Sequence, residues 1–321
     1  MNMAKLGIIG AGVMAKQHLE IISAIEGVEA VAITSRTRSK AEALASEYKI
    51  EAVFDDLASM MHGGGLDALM VLVSCEQMYT VTLEAIGYGL PLFVEKPAGL
   101  LPEENKRLAD IASSRGVKTM VGFNRRYYSI FRKGVEMIQA HGPLFGVHVE
   151  GHERMWRIRE GGKFSKKELN HWIFANSVHT IDLLRFFGGD IKNIHSIAHR
   201  RFGESRGDQF SAVMDFDSGA IGQYSAHWYS PGGWRAVLYG DGVTVEFKPL
   251  EKASWMGKDF VAHEIEPDEE DVRFKPGLYR QMEAFMRLVS EGVQNWPALD
   301  LEGAYKTMQL AEQIAPPPQK I

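Results

Sequence analysis

Near its start the chain runs from the apolar stretch Leu6-Gly7-Ile8-Ile9 into Gly10-Ala11-Gly12-Val13-Met14-Ala15. A short apolar strand, a G-x-G-x-x-A turn and a following helix admit few folds, because each glycine has a separate task. Gly10 permits the tight turn, Gly12 leaves no side chain between backbone and ligand, and small Ala15 lets the helix pack close to the strand. The open helix N-terminus, with its free N–H groups and partial positive charge, then suits a pyrophosphate. This stretch predicts a dinucleotide-binding unit, with Gly10, Gly12, Val13 and Met14 against the nucleotide.

The rest of the chain extends that expectation. Strand-like runs at residues 5–10, 28–34, 68–73, 91–95 and 117–122 alternate with helical patterns such as 40–48 and 102–115, the alternation of a doubly wound parallel sheet. From Phe145 onward the pattern turns β-rich, at 145–151, 191–199, 210–216, 220–228, 234–239 and 243–247. Asp217-Ser218-Gly219 and Gly240-Asp241-Gly242 read as tight turns between antiparallel neighbours. Two late helical patterns, 278–291 and 301–314, precede Pro316-Pro317-Pro318. The predicted architecture is α/β: an N-terminal Rossmann domain over 1–123, and over 124–321 an α/β domain with an open, mainly antiparallel sheet. The last helices are expected to pack back on the first domain.

Composition narrows the class. With 321 residues the chain suits two domains, and 45% hydrophobic and 24% charged residues are ordinary globular proportions. A formal net charge of -5 argues against a dedicated nucleic-acid binder. Cys75, the single cysteine, excludes an internal disulfide and leaves no cysteine cluster for a metal. No leader pattern precedes the first strand, and no apolar run reaches the roughly 18 residues of a membrane span. The expectation is a cytoplasmic protein with a small-molecule substrate, no metal, and neither nucleic acid nor membrane as partner.

Cofactor choice is read at the end of the second strand. An acidic residue there would bind the ribose hydroxyls of NAD. This chain has Thr34-Ser35-Arg36-Thr37-Arg38-Ser39-Lys40 instead. Hydroxyls and guanidinium groups accept a 2′-phosphate that a carboxylate would repel. Ser35, Arg36 and Thr37 therefore predict NADP(H) as the preferred cofactor, with NAD(H) still possible.

Further on, Leu92-Phe93-Val94-Glu95-Lys96-Pro97 is a buried-looking strand ending in a Glu-Lys-Pro turn. With Val121-Gly122-Phe123-Asn124-Arg125-Arg126-Tyr127 and His179-Thr180-Ile181-Asp182, it makes the chain resemble the glucose-fructose oxidoreductase and inositol dehydrogenase (Gfo/Idh/MocA) family over nearly its whole length. The resemblance implies pyridine-nucleotide chemistry on sugars or related polyols, and a lysine, Lys96, at the nicotinamide and substrate. It further implies cofactor contacts from Ser74, Gln77, Glu95, Asn124 and Arg126, and a homodimer or homotetramer through the C-terminal sheet. The chain departs from the family in two places. Ala175 stands where sugar-type members usually carry Asp, and Cys75 and Tyr79 stand where members often have Pro and His.

The residue chemistry is consistent with the resemblance. Oxidising an alcohol requires removal of the hydroxyl proton as hydride leaves carbon, and a lysine does this when burial and a positive ring nearby favour its neutral form. Lys96, at a strand end, is the candidate. On a wheel of about 100° per residue, Phe174, Val178 and Ile181 share an apolar stripe. Trp172, Ala175, Asn176 and His179 lie opposite, on the face expected to line the cleft, and His179 is the second catalytic candidate. Arg154, Trp156, Arg157, Trp172, Trp234 and Arg235 are substrate-contact candidates, because aromatics stack on sugar faces and arginines clamp carboxylates or phosphates. Asn176 joins them. Two functions fit: an NADP-dependent oxidoreductase on a sugar, polyol or related alcohol or ketone, or a catalytically inactive NADP-binding sensor, which the loss at Ala175 would allow.

Overall fold

A computed structural model describes residues 3–317, so Pro318 and the residues after it lie outside the described chain. The chain divides into two compact units, Met1–Asn124 with Arg273–Tyr305, and Arg125–Val272 with Lys306–Ile321. The stretch after residue 124 therefore does not stay together: a segment near the C-terminus returns to the first unit.

The first unit holds a six-stranded parallel sheet in the order β3-β2-β1-β4-β5-β6. The strands are β1 (Ala4–Ile9), β2 (Val28–Thr34), β3 (Ala52–Phe54), β4 (Ala68–Val71), β5 (Leu92–Val94) and β6 (Thr119–Val121). Leu69, Met70 and Val71 of β4 and Phe93 of β5 are fully buried, as expected of parallel strands covered on both faces. The order reverses between β1 and β4, and the crevice at such a reversal is where open α/β sheets receive ligands. β3 was not anticipated, because three residues at a sheet edge show no usable alternation. Helix Leu278–Glu291 of the returning segment packs on helix Val13–Ile22. Phe285 meets Phe93 edge-on at 5.5 Å, and the Val121 amide donates to Leu299 O at 2.7 Å, covering the β6 edge.

The second unit is built on an eight-stranded sheet ordered β14-β13-β12-β11-β7-β10-β9-β8. Its strands are β7 (Gly146–Gly151), β8 (Ile191–His199), β9 (Gln209–Phe216), β10 (Ile221–His227), β11 (Trp234–Gly240), β12 (Val243–Phe247), β13 (Ala253–Met256) and β14 (Ala262–Ile265). Only β7 and β10 pair in parallel. Strict alternation explains the burial: Phe210, Ala212, Met214 and Phe216 of β9 point into the core, and Ser211 and Val213 point out. Helices Ser129–His141 and Val178–Gly188 cover the inner face, where Phe131 and Phe247 meet at 4.6 Å. The outer face exposes Ile197, Val213 and Ile221, each more than half accessible. β13 and β14 carry no strand signal in the sequence, because Ala-Ser-Trp-Met and Ala-His-Glu-Ile lack an apolar alternation.

At the start of this unit Arg126 is buried and grips Asp182 with two hydrogen bonds, Nε at 2.6 Å and one terminal nitrogen at 2.8 Å. Thr307 Oγ1 also donates to Asp182, at 2.9 Å. Three separated segments are thus tied at one carboxylate. Helix Leu301–Ile314 stops before Pro316 and Pro317. Among the described residues no helix is long and apolar enough to cross a membrane.

Candidate functional site

The glycine-rich turn after β1 forms the floor of a cavity of about 500 Å³ in the first unit. Gly10 has φ +116, a conformation side chains disfavour, and a Cβ there would collide with the Leu72 carbonyl. Its amide donates to Thr34 O at 2.8 Å, which ties the turn to β2. Gly12 caps helix Val13–Ile22 with no side-chain hydrogen bond, and a Cβ at Gly12 would meet nothing within 4 Å. An open cradle of backbone N–H groups at a helix start fits a pyrophosphate. Val13 and Met14 complete this wall. Ser35, Arg36 and Thr37 enter from the end of β2, and Ser74 and Gln77 from the start of helix Cys75–Ile86.

Charges on the β2 side are distributed unevenly. Arg38 is spoken for, pairing with Glu42 at 2.9 Å and with Asp55. Asp56, also at the cavity, caps helix Leu57–His62 by accepting from the Ser59 amide at 2.7 Å, and this bond holds its carboxyl below the usual carboxylate range. Arg36 and Lys40 line the same cavity without a carboxylate partner among the described residues. Lys40 was missing from the expected contacts, although it belongs to the same basic run.

Glu95 is engaged from within its own unit. Its carboxylate is buried within the first unit, where Oε1 lies 2.9 Å from His18 Nε2 and Oε2 accepts the Lys96 amide at 3.0 Å. A Cβ at Gly122 would meet the Glu95 carboxyl carbon at 2.9 Å, so the next strand also closes on it. His18 is fully buried, edge-on to Phe93 at 5.0 Å, and its Nδ1 has no hydrogen-bond partner. That arrangement favours the tautomer with the proton on Nε2, donated to Glu95. Glu95 is thus a support beneath half-buried Lys96 and does not line the nucleotide cavity. The signal for His18 was its phase: a polar residue on the helix side that buries Ala15, Leu19 and Ile22. Asn124 also lies outside the cavity, its side-chain amide donating to Pro276 O at 3.0 Å. Arg126 is committed to Asp182.

In the second unit the residues before His179 form a π turn, Ile173–Ser177, ahead of helix Val178–Gly188. An i→i+5 turn advances less per residue than an α-helix, so a wheel drawn at about 100° loses phase there. Trp172, expected on an open face, is 3% exposed and packs edge-on against Phe164 at 4.8 Å. Ala175 and His179 are also buried, and Asn176 is half-exposed. His179 lies 6.1 Å, ring to ring, from Trp234. A carboxylate does adjoin this segment, although not at Ala175. Glu153, buried in the turn after β7, accepts from Ser177 Oγ at 2.8 Å and Asn176 Nδ2 at 3.1 Å.

Trp234, Arg154 and Arg157 line a second cavity of about 450 Å³ with Glu153. Arg235 is drawn away by Glu246 at 2.6 Å and Glu150 at 3.1 Å, and Trp156 does not line the cavity. Arg125, the neighbour of the candidate Arg126, stacks on the Trp234 ring at 4.5 Å.

The profile of the oxidoreductase family with an NAD-binding Rossmann fold, Gfo/Idh/MocA, matches residues 4–123, and that of the Gfo/Idh/MocA C-terminal domain matches residues 139–246. The chain belongs to the Gfo/Idh/MocA family. It is an oxidoreductase with the family's NAD-binding domain. Among relatives in this family, the scyllo-inositol 2-dehydrogenase (NAD(+)) of Bacillus subtilis (strain 168) is 26% identical over 266 residues, 80% of this chain and 74% of that protein. An inositol 2-dehydrogenase of Klebsiella pneumoniae is 31% identical over 146 residues, 44% of this chain and 43% of that protein. A dehydrogenase structure from Chromobacterium violaceum shares the fold with a TM-score of 0.83 at 22% identity, covering 98% of this chain and 94% of that one.

The support under Lys96 is open to test by removing its donor. His18→Ala leaves the Glu95 carboxylate buried with one partner fewer, which costs about 1–3 kcal/mol of unfolding free energy. Urea denaturation followed by circular dichroism should show the midpoint falling accordingly. An unchanged midpoint would mean that the contact contributes nothing.

Proposed function

We propose that this oxidoreductase interconverts an alcohol and a carbonyl on a sugar, polyol or related compound, with NADP(H) as preferred cofactor. The observation that carries this reading is the intact Glu95-Lys96-Pro97 strand end, with Glu95 engaged from below so that Lys96 is fixed at the carboxyl edge of the sheet. When bound, nicotinamide supplies the hydride acceptor or donor. Lys96 takes the hydroxyl proton as the carbon–oxygen double bond forms and returns it in the reverse direction. His179 is assigned as the second catalytic residue, and Arg154 and Trp234 of the second unit as substrate contacts. The curated relatives named as inositol dehydrogenases support polyol chemistry.

The cofactor preference rests on the β2 end. No carboxylate follows β2 directly, and Arg36 and Lys40 line the cavity where a 2′-phosphate would lie. The bare outer face of the second sheet, with Ile197, Val213 and Ile221, is assigned to self-association.

Titration should show NADP(H) binding more tightly than NAD(H). Arg36→Ala should weaken NADP(H) by roughly 10- to 100-fold through loss of a charge-assisted contact and leave NAD(H) nearly unchanged. Equal affinity of the unaltered protein for both nucleotides would overturn the preference.

Lys96→Met tests the chemistry. With an oxidisable polyol, kcat should fall by at least about 10²-fold while nucleotide affinity stays within about tenfold. A variant that keeps most of its turnover would place proton transfer elsewhere.

A further inference from the structure

The segment that returns to the first unit brings a charge to a part of the nucleotide cavity that has none of its own. We propose that Lys275 is a further cofactor-binding residue, its ammonium group held at the rim of the glycine turn to take an oxygen of the pyrophosphate; this rests on the pyrophosphate lying at the start of helix Val13–Ile22.

The cations that line the cavity, Arg36 and Lys40, both follow β2, where Asp55 and Asp56 stand as well. The turn side differs. Gly10 to Met14, Ser74 and Gln77 are all neutral. A helix N-terminus supplies the equivalent of roughly half a positive charge, less than two ionised phosphates call for.

Lys275 is placed to supply a cation there. Its Nζ lies 3.4 Å from Met14 Sδ and donates to Gln17 Oε1 at 3.3 Å, and both of these residues belong to helix Val13–Ile22. A helical side chain leans toward the N-terminus of its helix, so Met14, the second residue, carries this contact back toward the glycine turn. A thioether sulfur and an amide oxygen are neutral acceptors, weaker partners for an ammonium than an ionised phosphate oxygen. The arm of Lys275 is flexible, but its root is braced. Pro276 O accepts from Asn124 Nδ2 at 3.0 Å, Lys275 O accepts the Leu278 amide at 3.2 Å, and Phe274 stacks on Tyr279 at 5.7 Å. Helix Leu278–Glu291 then packs on helix Val13–Ile22. Asn124, which does not line the cavity, thus serves it at one remove by fixing the turn that bears Lys275. The four-carbon stem lets the exposed ammonium shift toward a ligand without moving the backbone.

Calorimetric titration of the full chain separates this contact from the others in the cavity. NADPH, NADH and ADP-ribose carry the pyrophosphate, and 2′-AMP does not. Lys275→Gln should weaken all three pyrophosphate probes alike, by roughly 10-fold or more, the range of one charge-assisted contact. Affinity for 2′-AMP should stay within about twofold, and Lys275→Arg should retain most of the affinity for every probe. The uniform loss distinguishes Lys275 from Arg36, whose removal is expected to discriminate between the two nicotinamide nucleotides. Because the side chain is exposed, the thermal unfolding midpoint of Lys275→Gln should match that of the unaltered chain, which excludes misfolding as the cause. Unchanged affinity of Lys275→Gln for NADH and ADP-ribose, or a parallel fall for 2′-AMP, would overturn the inference alone. An unaltered chain that binds none of the three pyrophosphate probes would overturn the placement of the pyrophosphate, and this inference with it.

Discussion

The contact between His18 and Glu95 is the constraint on which the first unit depends. It joins the helix that begins at the nucleotide cradle to the end of β5, so the glycine turn and the backbone of Lys96 are held as parts of one framework. A buried carboxylate must be hydrogen-bonded to be tolerated, and here both of its oxygens are engaged. The same contact explains the aromatic layer around it. His18 leans on Phe93, Phe93 on Phe285, and Phe285 lies on the helix that returns from the far end of the chain. The returning segment therefore belongs to the support of the first unit and is not an appendage.

The second unit follows a related logic with different charges. Arg126 and Asp182 are buried together and share Thr307, so the entry into this unit is locked to helix Val178–Gly188 and to the last helix. Removing one member of such a pair is far more costly than the pair is stabilising, which makes these residues structural in effect. Arg126, Arg159 and Arg235 each meet a carboxylate, whereas among the described residues Arg125, Arg154 and Arg157 do not.

Much of this was legible in the sequence. The glycine turn, the alternation of strand and helix, the β-rich second half and the late helices over 278–291 and 301–314 follow from periodicity and turn residues. Gly10 to Met14, Ser35 to Thr37, Ser74 and Gln77, the residues expected at a nucleotide, line one cavity because each follows a strand of the same sheet. What escaped was long-range or out of phase. The π turn before His179 shifted the wheel and made buried Trp172 look open. Neighbouring Arg125 and Arg126 cannot be told apart without knowing which one meets Asp182. The support of Glu95 by His18 was not legible because the two lie 77 positions apart.

Hydride transfer is the central claim, and isotopic labelling tests it most directly. The chain is incubated with NADP+ and with sugars, sugar acids and inositols deuterated at their hydroxyl-bearing carbons, and the nicotinamide is examined by NMR. The account predicts reduced nicotinamide with deuterium at C4, delivered from the substrate carbon. A nicotinamide that stays oxidised with every probe, or that carries only protium at C4 after reduction, would contradict it.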